Sequence, residues 1–147
     1  MRRIITLNTL LLFFVMGFSA CNKEEKDLLI NTKWKLVGFV DVEIGEIKEA
    51  EPTSVECENC YTLTFKKYQK WEGRSSSNSM EGKYKINYNK HNICLFNGKG
   101  FMTKVGEFSD GNLYVKSLRQ VDFFSIQENE LKLYYNNKQN YLLYKSQ

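Results

Sequence analysis

Period-two alternation constrains this chain most. It runs through Lys33-Trp34-Lys35-Leu36, Tyr61-Thr62-Leu63-Thr64-Phe65 and Lys83-Tyr84-Lys85-Ile86-Asn87-Tyr88, each rich in aromatic or β-branched residues. Such spacing sends successive side chains to opposite faces, so each stretch reads as a half-buried strand. Ile93 to Phe96, Phe123 to Ile126, Leu131 to Tyr135 and Tyr141 to Tyr144 add four more, set apart by Asn, Gly, Asp or Glu clusters that favour turns. Seven short strands imply an antiparallel sheet. With few helices to cover its edges, the economical form is a single small β-barrel or a strongly curved meander. Helix competes only near 110–121, where Leu113, Leu118 and Val121 fit an amphipathic turn, Tyr114 and Val115 lie alongside, and Asp110 or Asn112 can cap.

The 147 residues suit one domain. One proline and one histidine against ten phenylalanines, nine tyrosines and two tryptophans exclude a disordered chain and a histidine-rich metal site. Met1-Arg2-Arg3 followed by the apolar run Ile4 to Phe18 reads as a secretory signal. As a helix that run would reach only about 22 Å, short of a bilayer core.

Phe18-Ser19-Ala20-Cys21 resembles the lipobox of bacterial lipoproteins, in which the cysteine is acylated and becomes the first residue of the mature chain. The resemblance implies a signal peptide over 1–20, lipid attachment at Cys21 and a membrane anchor. Asn22-Lys23-Glu24-Glu25-Lys26-Asp27 is similar to the lysine-plus-acidic signal that sends lipoproteins of Bacteroidetes bacteria to the outer face of the outer membrane, and it reads equally as a solvated tether. The expected organisation is therefore signal 1–20, lipidated cysteine and tether 21–30, and β domain 31–147. Loss of Arg2 and Arg3 lowers the net charge from +4 to +2, which argues against nucleic acid as a partner.

Asn31-Thr32-Lys33-Trp34-Lys35-Leu36, Gly73, Ser77-Asn78, Gly82-x-Tyr84, Thr103, Leu118-x-x-Val121 and Leu131-x-Leu133 resemble, in order, the landmarks of META-domain and lipocalin-like envelope proteins. A META domain commonly has a cysteine where Ser77 stands and another after the threonine, where this chain has none within reach. The resemblance implies a small β-rich envelope domain and carries over no catalytic residue.

Cys57-Glu58-Asn59-Cys60 is the sharpest local motif. It leads into a strand rather than a helix N-terminus, which disfavours thiol redox catalysis. In an exported protein the expectation is a disulfide, within the pair or from one member to Cys94. His91-Asn92-Ile93-Cys94 completes a formal zinc set, Cys57, Cys60, His91 and Cys94, but residues three apart on a strand face opposite ways. His91 otherwise reads as a solvent-facing turn residue, and no metal or cofactor is expected.

Charge is uneven. Asp41 to Glu58 holds seven acidic residues against Lys48, while Tyr61 to Lys104 holds nine basic residues against Glu72 and Glu81. Within the basic stretch, Lys67, Tyr68, Trp71 and Arg74 interleave cations with aromatics, a composition suited to a ligand or an anionic glycan, though the stretch reads more readily as a solvated loop whose Trp71 and Tyr68 tuck against the core. The acidic run lacks calcium-loop spacing, the serines 75–77 and 79 lack a histidine partner, and no phosphate loop is present. The sequence thus reads as a non-enzymatic, lipid-anchored domain of the outer membrane, facing the surface. It would bind a small apolar or amphiphilic ligand or an envelope partner, with inhibition or glycan binding as the alternative. A ligand cavity would be lined by Trp34, Leu36, Leu63, Phe65, Tyr84 and Ile86, which would equally fill a closed core.

Overall fold

Strand β1 (Lys33–Asp41) organises the sheet, because it pairs on one side with β11 (Asn140–Ser146) and on the other with β3 (Thr62–Lys66) and then β2 (Ile47–Glu49). These elements come from a computed structural model that describes residues 23–98 and 100–147. The remaining strands are β4 (Lys70–Arg74), β5 (Ser79–Lys83), β6 (Lys85–Asn87), β7 (Asn92–Cys94), β8 (Phe101–Met102), β9 (Phe123–Gln127) and β10 (Glu130–Tyr135). All pair antiparallel in one eleven-stranded sheet ordered β6-β7-β9-β10-β11-β1-β3-β4-β5-β8, with β2 beside β1.

The sheet curls until its ends approach each other. Strands β5 and β6 lie on opposite ends of the hydrogen-bonded path, yet only Tyr84 separates them in sequence. The expected single strand over Lys83 to Tyr88 is therefore divided at Tyr84, whose N–H extends the β4–β5 pairing by donating to Gln69 O at 2.8 Å before the chain passes to β6. Strands β2, β4, β5 and β8 were not legible as strands, β5 sharing only Lys83 with an expected stretch. The three residues of β2 are all exposed, the two of β8 form a minimal edge, and β4 is read across by lysines that suggest a loop.

Inward-facing side chains fill the interior. Trp34, Leu63, Phe65, Leu131, Leu133, Leu142 and Tyr144 have no exposed surface, and Leu36, Tyr84 and Ile93 are nearly as buried. Alternation along β10 illustrates the cause: Leu131 and Leu133 point in while Lys132 points out.

Among the described residues two α-helices cover the sheet. Helix α2 (Gly111–Arg119) lies within the expected stretch, but its core residues are Tyr114 and Leu118, while Leu113 faces outward. Tyr114 sets its ring edge-on to Tyr61 at 5.1 Å, and its hydroxyl accepts from Tyr144 Oη at 3.1 Å. Asp110 stands at the N-cap without capping through its side chain. Its carboxylate instead accepts from Glu51 N–H at 3.0 Å and pairs with Lys48, an interaction that ties the β2 region to the helix. The second helix, α1 (residues 23–29), corrects the expected tether. Leu29 is fully buried and its carbonyl accepts from the Trp34 indole at 3.5 Å, so ordered structure begins well before residue 31.

Between β8 and α2 the chain forms a strap that a polar cluster holds down. The Glu107 carboxylate accepts from Ser75 Oγ at 2.5 Å, Ser76 Oγ at 2.6 Å, Asn78 Nδ2 at 2.6 Å and Ser77 N–H at 3.2 Å. Asn78 Oδ1 accepts in turn from Thr103 Oγ1 and Val105 N–H, both at 2.8 Å. A side chain at Gly111 would collide with Ser76 Oγ and Glu107, which explains the glycine at the helix start. Burial alone would raise the Glu107 pKa, but its hydrogen bonds outweigh that effect and hold it below the ordinary carboxylate value. A depressed folded-state pKa contributes stability that is present above the unfolded value and is lost as pH falls through the folded one. Glu107→Gln should therefore cost about 1–2 kcal/mol at neutral pH, by the usual worth of hydrogen bonds to a charged group, and the gap to wild type should narrow below about pH 4. Urea titrations of both proteins across that range check this.

Candidate functional site

The Cys57–Cys60 loop encloses a lysine. The two cysteines are disulfide-bonded to each other, and Cys94 is free and exposed. With both sulfurs of the pair committed to the disulfide, neither is a thiolate for zinc. This corrects the formal set with His91 and Cys94, and His91 lies at an exposed turn with its Nδ1 3.9 Å from Glu25 Oε1. Among the described residues no cluster of metal-ligating side chains forms.

The disulfide loop folds over the outer face of β1, where Lys35 Nζ donates to Cys57 O at 2.7 Å, Glu58 O at 3.2 Å and Cys60 O. Lys35 is only 5% exposed, and burial pushes its ammonium pKa below lysine's ordinary range, aided by Lys33 and opposed by Glu58. The arrangement is structural. Alternation places Lys35 on the outer face, and nothing in the sequence showed that a distant loop would cover it. Lys35→Met would leave three carbonyls without their cation, and it should destabilise the fold by about 2–3 kcal/mol. A similar loss of protection should follow reduction of Cys57–Cys60, read by hydrogen exchange at residues 57–61.

The stretch proposed to touch a ligand divides in two. Trp71 is 1% exposed, its ring packs against Gly82, and its Nε1 donates to Leu95 O. It is a core residue, which corrects its assignment as a contact: the register places it opposite Phe65, on the inner face. Lys67, Tyr68 and Arg74 are exposed, with Tyr68 at 89% standing at the tip of the β3–β4 turn. The signal peptide and the lipid-attachment cysteine, Cys21, lie outside the described residues.

A cleft that was not legible in the sequence opens between the strap and α2. It measures about 600 Å³ and is lined by Met102, Val105 and Val115 with Lys104, Lys116 and Arg119 around them. Glu107 also borders it, but its oxygens are engaged by the Ser75–Asn78 turn. On this segment Phe101, Val105, Phe108 and Leu113 are exposed, of which Val105 lines the cleft, while Val42, Ile44, Ile47, Val55 and Tyr68 are exposed elsewhere. Arg119 stacks over Phe96 at 4.9 Å, which fixes a cation at the cleft edge. The available signal was the density of apolar residues in a stretch with no strand alternation, which reads as loop.

No protein-family model matches the chain. A Tannerella forsythia protein named "Putative lipoprotein" is 29% identical over 119 residues, 80% of this chain and 74% of that protein. Among solved structures, a duf4847 family protein from Bacteroides vulgatus matches with a TM-score of 0.58 at 14% identity, covering 82% of this chain and 95% of that one. A protein from Burkholderia xenovorans, determined by NMR, matches with a TM-score of 0.63 at 19% identity, covering 82% and 85%. These structures share the fold: mainly β, one antiparallel curled sheet with a short helix against it.

Proposed function

We propose that the protein is a lipid-anchored, non-catalytic domain of the bacterial cell envelope that takes an anionic amphiphile in the cleft between the strap and α2. The observation that carries the reading is where the apolar surface lies. Trp34, Leu63, Phe65 and their neighbours fill the barrel interior, whereas Met102, Val105 and Val115 line a cleft outside it together with Lys104, Lys116 and Arg119. Apolar surface rimmed by cations suits a ligand with a hydrocarbon body and an acidic head. The glycan alternative is weakened because buried Trp71 leaves Tyr68 as the one exposed ring of that turn.

Anchoring at Cys21 draws support from the Phe18–Cys21 motif and from the name of the Tannerella forsythia relative, and placement on the outer face of the outer membrane rests on the Asn22–Asp27 stretch alone. Metabolic labelling with palmitate should mark the wild-type protein and be lost in Cys21→Ser. For the cleft, calorimetric titration of the mature protein with laurate should give micromolar binding, weakened about tenfold by Lys116→Gln with Arg119→Gln. Absence of laurate binding, or equal binding by the double variant, overturns the cleft assignment.

A further inference from the structure

The β3–β4 turn lies close to where the chain leaves helix α1. Ile30 forms a bridge to Phe65, and Asn31 N–H donates to Phe65 O at 2.7 Å, so the turn begins at the very next residue, Lys66. Helix α1 starts at residue 23, two residues after Cys21, and its seven residues rise only about 10 Å. Two further residues add at most about 7 Å. Acyl chains on Cys21 would therefore hold this end of the sheet near the bilayer, while the other end of β1 lies about 27 Å away along the strand.

The turn is cationic, and its charges are stacked. On the outer face Lys66 stands opposite Lys70, and Lys70 opposite Lys83. Like charges directly across a ladder destabilise it. Glu72 neutralises Lys66 at 2.6 Å, and among the described residues no ion pair forms at Lys67, Lys70 or Lys83. The backbone is held in an unfavourable form: Tyr68 (φ 61, ψ 31) and Gln69 (φ 57) are both left-handed, and the Tyr84 N–H bond to Gln69 O fixes them. The result is an outward tyrosine flanked by lysines.

An exposed ring with an apolar body and a polar tip suits the headgroup level of a bilayer, and lysines beside it suit anionic headgroups. The other side of the same end is acidic, with Glu24 and Glu25 of α1 and Glu128 and Glu130 around one cleft, so the lysine turn is the part of this end that anionic headgroups attract. We infer that the Lys66–Lys70 turn, with Lys83 beside it, is a second membrane contact, resting Tyr68 and the lysines on the anionic headgroups of the bilayer that holds the Cys21 acyl chains. This rests on the anchoring proposed above. It also gives the domain one orientation. The Ser75–Asn78 turn that holds the strap is at the other end of β4, so the cleft faces away from the membrane.

The test uses the lipidated mature protein on phosphatidylcholine vesicles and on vesicles rich in phosphatidylglycerol. Flotation with phosphatidylcholine reports the anchor alone. Trypsin cleavage at Lys66, Lys67 and Lys70, compared with cleavage at Lys138 in the β10–β11 turn, reports the second contact. Anionic lipid should slow cleavage at the β3–β4 turn at least about fivefold and leave Lys138 unchanged, with the protection removed by high salt. Lys83→Gln, which deletes no site in the turn, should reduce the protection about fivefold. A floating protein whose turn is cut equally on both lipids, or whose protection survives high salt, overturns the inference. A protein that fails to float overturns the anchoring instead. The turn is then read by sedimentation with phosphatidylglycerol vesicles, where salt-sensitive binding supports it and no binding overturns it.

Discussion

The indole of Trp71 holds the ends of the sheet together. Its ring lies on β4, packs beneath Gly82 of β5, donates Nε1–H to Leu95 just past β7, and meets Phe96 edge-on at 5.1 Å. Those partners belong to opposite ends of the hydrogen-bonded path, so one side chain ties what backbone pairing leaves open. Any side chain at Gly82 would reach the indole nitrogen at 2.9 Å, which makes that glycine a condition of the closure. Trp34 makes the analogous link to Leu29 and draws α1 onto the sheet. Because the sheet curls around large aromatic rings, its interior is spent on packing and recognition is left to the outside.

The outside has two unlike ends. Near α1, the β3–β4 turn presents lysines and an exposed tyrosine. At the other end of β4, the Ser75–Asn78 turn grips Glu107 and positions the strap whose Val105 borders the cleft. A partly buried carboxylate with this many donors is costly to displace, so the strap is a fixed wall of the cleft rather than a free loop. The disulfide loop around Lys35 does comparable work on the flank of β1, converting a long irregular connection into a cover for the sheet.

Much of the fold was legible because alternation is a local signal. β1, β3, β9, β10 and β11 each contain a stretch that reads as strand from the residues alone, and α2 follows from helical spacing. Strands too short or too polar to alternate, such as β2 and β8, exist only because a neighbour offers a free edge. Trp71 shows the same limit: among lysines it resembles a surface ring, and only its register opposite Phe65 turns it inward. The residues that suggested a META resemblance have physical roles here, since Asn78 and Thr103 meet by hydrogen bond and Gly73 lies against the backbone of Thr62, but no family model supports that resemblance.

The sequence by itself determined the strand-rich class, the position of α2 and the adjacency of Cys57 and Cys60, because each depends on neighbours a few residues apart. The tertiary structure alone decided which lysine is buried, which tryptophan closes the sheet, and that a cleft opens between the strap and α2. Those outcomes depend on side chains far apart in sequence, such as Lys35 with Cys57 and Cys60, Trp71 with Leu95, and Glu107 with Ser75 and Ser76. No local pattern encodes them, because their energies exist only once the sheet has curled and brought the partners within reach.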